Sequence, residues 1–239
     1  MKQRIKDLII IYAGLAVYAF LLCLLLGILS GCTAQTFQSS YTEKTPIVYD
    51  TPIQNPAKNV TVVEQLPEFV SGDEFASAAC LLNAYGYDIN IYGLLNSMNY
   101  SDTDFYESYV GDARLETGYC YAPALVVCIN RAIQHDSNLR AQNYTGLDYD
   151  LLAEDIKDNK PYIVWLTDNY TAPNYVDVYC DRNIQLYDNS QAMVVYKING
   201  GKVYLADSIQ GYTTMPEDDF RTLWEQCGSQ AIGLHLTEP

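Results

Sequence analysis

Histidine and basic residues are scarce in this sequence. The 239 residues include two histidines, and 14 Lys and Arg stand against 29 Asp and Glu, which gives a formal net charge of −15 at pH 7. An acidic surface of this kind repels the phosphate backbone of nucleic acids. We therefore expect no nucleic-acid partner.

Metal-binding motifs are lacking as well. The cysteines form no Cys-x-x-Cys pair and no Cys/His spacing typical of zinc sites. Acidic pairs such as Asp102/Asp104 and Glu154/Asp155 match no calcium-binding loop, so we interpret them as solvated surface. The sequence predicts neither a metal nor a cofactor.

Five of the seven cysteines lie beyond the N-terminal region, and an odd number leaves at least one thiol unpaired. Cys80 and Cys128 fall on apolar helix faces, so we expect both to be buried. Whether Cys180 forms a disulfide with Cys120 or with Cys227 is left open by the sequence.

The N-terminus carries a long apolar run. Lys2, Arg4 and Lys6 precede residues 8–30, which hold no charge and are long enough to cross a bilayer as a helix. The run ends in Leu29-Ser30-Gly31-Cys32, which resembles the lipobox of bacterial lipoproteins. That resemblance implies cleavage before Cys32 and attachment of lipid to its thiol.

Two interpretations of this segment stay open: a cleaved signal with lipidated Cys32, or an uncleaved membrane helix. Both predict that the rest of the chain lies on the extracytoplasmic side of a bacterial cell membrane. We divide the chain into residues 1–32 as signal or membrane anchor, residues 33–59 as a flexible tether, and residues 60–239 as one domain.

The stretch from Gln65 to Asn83 is the main candidate for a functional site. A capping signal, Ser71-Gly72-Asp73, precedes apolar residues at helical spacing. A helix N-terminus offers unpaired N–H groups and the positive end of the helix dipole, which favour an anion or an activated nucleophile. The residue here is Asp73, and we expect its side chain to cap the N–H groups of the first turn.

Helical patterns come first along the chain and strand patterns follow, which favours an α+β fold. The predicted elements are a short strand at 60–63, helices at 73–85, 88–98, from 118–123 onward, 147–159 and 218–227, strands at 161–166, 192–198, 202–206 and 231–236, a hairpin turn at 199–201, and polar loops at 99–118 and 168–189.

Several segments, taken in order, resemble the C39-like peptidase family, a bacterial group of papain-like cysteine peptidases. They are Gln65-Leu-Pro-Glu, Gly72-Asp73-Glu74, Leu82-Asn-Ala-Tyr-Gly-Tyr87, Cys120-Tyr-Ala-Pro-Ala124, Pro161–Trp165, Gln191–Ile198, Val203–Asp207 and Gly228-Ser-Gln-Ala-Ile232. The resemblance extends over residues 60–236 and implies a papain-like fold, with N-terminal helices packed on an antiparallel sheet.

The chain departs from this family where chemistry would occur. The resemblance implies a nucleophilic Cys at the position of Asp73, a His at Gln191, an orienting acid at Asp207 and an oxyanion-binding amide at Gln65. A carboxylate is a far weaker nucleophile than a thiolate, and Gln191 has no titratable nitrogen. Because such groups act as a unit, loss of either one predicts loss of most activity.

The sequence therefore predicts a degenerate domain that is catalytically inactive and binds a peptide or protein. Tyrosine-rich loops at 99–121 and 168–187 would supply contact surface, and Gln191 would bridge Asp73 and Asp207 by hydrogen bonds.

Four alternatives stay open. One is an active cysteine peptidase or acyl transferase that uses a different thiol, such as Cys120 at the start of a helix, although no motif links either histidine to it. The second is a structural or uptake accessory lipoprotein that holds a partner at the membrane. The others are a polar network without function and a working Asp73/Asp207 acid pair.

Overall fold

The computed structural model of the chain describes residues 55–135, 138–179 and 183–236. The apolar run at 8–30, Cys32, most of the tether and Cys180 lie outside the described residues. Within the described part, no helix is long and apolar enough to cross a membrane. The two interpretations of the N-terminus and the domain boundaries stay predictions.

Five α-helices and ten strands form in the described residues. The helices are α1 (Asp73–Ala84), α2 (Ile91–Ser97), α3 (Ala122–Ala132), α4 (Tyr149–Lys157) and α5 (Glu217–Gln226). The strands are β1 (Tyr100–Ser101), β2 (Tyr109–Val110), β3 (Leu139–Asn143), β4 (Tyr162–Thr167), β5 (Tyr175–Tyr179), β6 (Asn183–Tyr187), β7 (Ser190–Asn199), β8 (Lys202–Asp207), β9 (Gly211–Pro216) and β10 (Ala231–Leu236).

Six of the strands form one antiparallel sheet in the order β3-β10-β4-β7-β8-β9. The α1 helix packs against β7 and β4, and the core fills the space between helices and sheet. The predicted α+β class, with N-terminal helices on an antiparallel sheet, is confirmed. This arrangement places the start of α1 beside the start of β7.

The central strand β4 and the hairpin β7–β8 follow directly from their sequences. Every residue of β4 is buried, including Trp165. A run of mainly apolar residues without alternation is typical of a strand that is covered on both faces. Gly200 and Gly201 join β7 to β8 with φ of 60° and 71°, a left-handed conformation that glycine adopts without a steric penalty.

The predicted strand at 60–63 is wrong. These residues follow a 3-10 helix at Pro56–Asn59 and belong to no strand, although their β-branched side chains favour one. Val60 is buried against the core, and the Tyr212 hydroxyl donates to its carbonyl at 3.1 Å. A strand needs hydrogen bonds to a neighbouring backbone, whereas the carbonyl of Val60 bonds to the Tyr212 side chain.

The sequence patterns missed three strand regions, besides the two-residue strands β1 and β2 in the predicted loop at 99–118. The edge strands β3 and β9 alternate buried and exposed positions with mostly polar residues, and the predicted loop at 168–189 contains a 3-10 turn and the hairpin β5–β6. The predicted surface loop at 99–118 also differs, since Phe105 and Tyr109 are buried there. Pairing across the chain, rather than local periodicity, determines these segments.

Candidate functional site

The start of α1 is held in place by the loop before it. Gly72 precedes the helix, and a Cβ added to Gly72 would lie 2.5 Å from Cβ of Phe69, so no larger residue fits without movement. The Tyr109 hydroxyl, fully buried, donates to the carbonyl of Ser71. These contacts fix the direction in which the next side chain, Asp73, leaves the helix.

Asp73 points at the sheet and does not cap the helix. Its Oδ2 accepts a hydrogen bond from the backbone N–H of Ala192 at 2.6 Å, and the N-cap position is taken by Gly72, which has no side chain. The expected first-turn cap is therefore wrong. A buried N–H on β7 needs a partner more than the N–H groups at the helix end, which neighbouring loop groups and water can satisfy.

Burial raises the pKa of Asp73 from 3.8 to about 6. The N–H of Ala192 and the residue's own N–H lower the pKa, and the charge of Asp207 raises it further. Asp73 is 7% exposed, so its ionised form has little water to stabilise it.

Gln191 does not bridge Asp73 and Asp207, contrary to expectation. Its Nε2 donates to Ser208 Oγ at 3.1 Å and more weakly to Gln65 Oε1 at 3.4 Å. The Ser208 hydroxyl in turn donates to Gln65 Oε1 at 2.5 Å. Both carboxylates already accept backbone N–H groups, Asp73 from Ala192 and Asp207 from Ile209 and Gln210.

Gln65 and Asp207 are also engaged within the fold. The Gln65 amide donates to the carbonyl of Val70 at 2.9 Å, which takes one of the two hydrogens it could present to a substrate oxyanion. Asp207 Oδ1 accepts from the N–H groups of Ile209 and Gln210 at 2.7 and 3.0 Å and thereby shapes the turn from β8 to β9. Its other oxygen lies 3.5 Å from the Tyr170 hydroxyl.

The four predicted positions nevertheless converge on one place. Asp73 binds the residue next to Gln191, Gln191 binds Ser208, and Ser208 is adjacent to Asp207 and bonded to Gln65. All four are buried. The four positions thus lie together beside the start of α1, bonded to one another or to the backbone.

Two participants were not identified from the sequence. Ser208 links the amides of Gln65 and Gln191, yet its only sequence signal is its position directly after Asp207. Glu74 is fully buried, and its Oε1 accepts from the N–H of Cys120 at 2.9 Å. Its Oε2 has no hydrogen-bond partner among the described residues.

Glu74 lies next to Asp73, and this proximity affects its protonation. Burial, followed by the negative charge of Asp73, raises the pKa of Glu74 well above 4.5, while the N–H of Cys120 lowers it. The neutral form is therefore favoured in the fold. Glu74 ties the start of α1 to the segment that enters α3.

The thiols within the described residues are free and buried. They are Cys80, Cys120, Cys128 and Cys227, so Cys120 and Cys227 form no disulfide. Burial raises the pKa of Cys80 and of Cys128 to about 12. A reactive thiol requires the opposite shift.

Cys120 does not have the environment of a nucleophile. It is fully buried, and burial, then the charge of Glu74, raises the pKa of its thiol well above 9.0. His135 is exposed beyond α3, and His235 lies on β10 opposite Arg140. The alternative of an active enzyme based on Cys120 therefore finds no support in the geometry.

The described residues also contain no cluster of three or more His, Cys, Asp or Glu side chains that lie close enough together to hold a metal ion. This leaves the converging polar network as the candidate site.

Comparison with known proteins gives a family and a fold. The sequence of residues 57–232 matches the Peptidase_C39 like family. A crystal structure described as a C39-like peptidase from Bacillus anthracis is similar, with a TM-score of 0.67 and 22% identity over 80% of this chain and 99% of that chain. No curated protein matches the chain.

Two further solved structures are more distant. One is a double glycine motif protease from an AMS/PCAT transporter in complex with the leader peptide, at 16% identity over 82% of this chain and all of that chain, with a TM-score of 0.44. The other is the peptidase domain of Streptococcus ComA, a bifunctional ABC transporter involved in a quorum sensing pathway, at 13% identity over 75% and 99%, with a TM-score of 0.42. Because the family match extends over most of the sequence, this chain belongs to the C39-like peptidase family.

Proposed function

We propose that this protein is a catalytically inactive C39-like domain that binds a peptide or protein at the extracytoplasmic face of a bacterial cell membrane. The observation that carries the proposal is the hydrogen bonding of the four site positions. Asp73 accepts from Ala192, and the amides of Gln65 and Gln191 are joined through Ser208. None of these groups is a thiolate or a titratable nitrogen base, so peptide-bond cleavage of the cysteine-peptidase type has no nucleophile and no base.

Binding is the activity that such a scaffold retains. Tyr100 and Tyr175 lie in the two tyrosine-rich loops and expose about half of their surface, at 53% and 48%. Tyrosine contributes large contact area for little loss of conformational entropy, which makes it frequent in binding surfaces. The net charge of −15 favours cationic or neutral ligands over anionic ones.

The test of inactivity uses the full chain in detergent micelles and a diverse peptide library. We expect no cleavage product by mass spectrometry, and no labelling of Cys80, Cys120, Cys128 or Cys227 by iodoacetamide or E-64, because the raised pKa values leave almost no thiolate. Library peptides should instead be retained by the immobilised chain. Asp73→Ala should behave as the wild type does.

Three results would contradict this expectation. Cleavage that disappears in Asp73→Ala would assign chemistry to the site, and cleavage that disappears in Cys120→Ala would support the enzyme based on another thiol. Absence of both cleavage and peptide retention would remove the binding function.

The membrane attachment is proposed from residues 8–30 and Cys32. Lipidation predicts incorporation of labelled palmitate that is lost in Cys32→Ser but kept in Cys23→Ser, a control within the same apolar run. An uncleaved helix predicts no label and a chain of full mass in the membrane fraction. In either case protease added to intact spheroplasts should digest the domain; protection would show that the orientation is wrong.

A further inference from the structure

A cavity of about 540 Å³ lies between the two tyrosine-rich loops and the end of α5. None of the four positions of the candidate site lines it. Four tyrosines form its walls, two from each loop: Tyr106, Tyr121, Tyr175 and Tyr187. The fold thus brings together two segments that lie more than fifty residues apart in the sequence.

The aromatic walls are held in position before any ligand binds. The rings of Tyr106 and Tyr121 stack with centroids 4.6 Å apart and an interplanar angle of 18°. The Tyr175 hydroxyl donates to the carbonyl of Gln226 at 2.6 Å, and the Tyr187 hydroxyl to that of Cys227 at 3.3 Å. Fixed rings lose little entropy on binding, so their contact area contributes more fully to affinity.

The lining is uncharged and favours a ligand rich in hydrogen-bond acceptors. It includes no Asp, Glu, Lys or Arg. At the rim, Asn143 Oδ1 already accepts from the Thr145 backbone and hydroxyl at 2.9 and 2.6 Å, so its amide offers a donor. Gln230 Oε1 accepts from the N–H of Ala122 at 3.1 Å, and its Nε2 donates weakly to the Tyr119 hydroxyl at 3.5 Å.

A peptide in the polyproline II conformation has the matching chemistry. Its carbonyl groups are unbonded acceptors, and proline has no N–H that would need a partner. Proline rings pack on grooves lined by aromatic side chains. A saccharide fits less well, because its hydroxyls donate as well as accept, while Asn143 Oδ1 already accepts two hydrogen bonds and Gln230 Oε1 accepts one.

We propose that this tyrosine cavity binds an extended, proline-rich peptide with a positive charge. The proposal rests on the proposed peptide-binding function and names its ligand class and its site, which is separate from the degenerate catalytic positions. The charge follows from the chain's net −15, which attracts basic residues flanking the prolines.

The test measures fluorescence polarisation with the full chain in detergent micelles. The probe is a labelled peptide of ten prolines ending in arginine, and the control peptide replaces the prolines with alternating glycine and serine. We expect the proline peptide to bind and the control to bind at least about tenfold more weakly, since it pays the entropy of becoming extended. Unlabelled chitohexaose serves as a saccharide competitor.

Variants locate the site. Tyr175→Ala should weaken binding of the proline peptide by about tenfold or more, whereas Tyr175→Phe keeps the ring and should stay within about threefold. Tyr212→Ala is the matched control, because Tyr212 is also exposed, at 58%, and its hydroxyl also donates to a backbone carbonyl. Circular dichroism checks that each variant is folded.

Each other outcome overturns the inference. Equal binding of both peptides, or equal loss in Tyr212→Ala, would remove the proline preference or the site. Binding of chitohexaose that depends on Tyr175, without binding of the proline peptide, would make the ligand a saccharide. If library peptides bind but the proline peptide does not, the inference fails and the proposed function stands; if no peptide binds, both fail.

Discussion

Replacing Glu74 with alanine is expected to lower the free energy of unfolding by about 3–4 kcal/mol. The carboxyl is fully buried and accepts from the Cys120 N–H at 2.9 Å. Alanine would leave this N–H unpaired in the core, at a cost of about 1–3 kcal/mol, and would remove buried methylene groups that support the start of α1. Urea unfolding followed by fluorescence measures the loss, since both tryptophans, Trp165 and Trp224, are buried.

The matched control is Glu74→Gln. Glutamine keeps the acceptor for Cys120 and nearly the same volume, and burial already disfavours the charged form of Glu74 by raising its pKa. We expect a change below about 1 kcal/mol. Exposed Glu116→Ala should also have a small effect. If glutamine destabilised as much as alanine, the charge of Glu74 would matter rather than its acceptor.

Sequence patterns predicted the parts of the fold that local chemistry determines. The α1 helix starts at Asp73 as expected, because apolar residues recur at helical spacing from this point, although the expected Asp73 cap does not form. The hairpin turn at Gly200 and Gly201 could be predicted because two consecutive glycines permit a tight turn. The edge strands β3 and β9 were missed because a half-solvated strand has too few apolar residues to stand out.

The candidate site divides in the same way. Family order predicted that Gln65, Asp73, Gln191 and Asp207 would meet, and they do. Their hydrogen bonds were not predictable, because partners such as Asp73 and Ala192 lie 119 positions apart in the sequence. Which groups pair depends on which buried donors and acceptors the fold brings together. Ser208 and Glu74 escaped notice for this reason, since each gains its role only from tertiary contacts.

The second large effect concerns pH. Asp73→Asn is expected to become more stable relative to the wild type by about 2.5 kcal/mol as pH rises from 4 to 8. Burial raises the folded-state pKa of Asp73 from 3.8 to about 6. Between these two values the folded state binds more protons than the unfolded state, so the stability contributed by Asp73 is complete below pH 3.8 and is lost as pH rises through 6. Asparagine keeps an acceptor for Ala192 and has no proton to lose.

Urea unfolding at half-unit pH intervals gives the profile, and exposed Asp102→Asn controls for removal of one negative charge. A profile of Asp73→Asn parallel to that of the wild type would show that the folded-state pKa is not raised.

The titration of Asp73 has different consequences for a catalytic acid pair and for an inactive site. An Asp73/Asp207 acid pair that works as a catalyst requires peptide cleavage to change in this pH window, because one carboxyl must be protonated while the other is not. An inactive site requires only the change in stability, since neither the neutral nor the ionised form of Asp73 restores the missing thiolate and base.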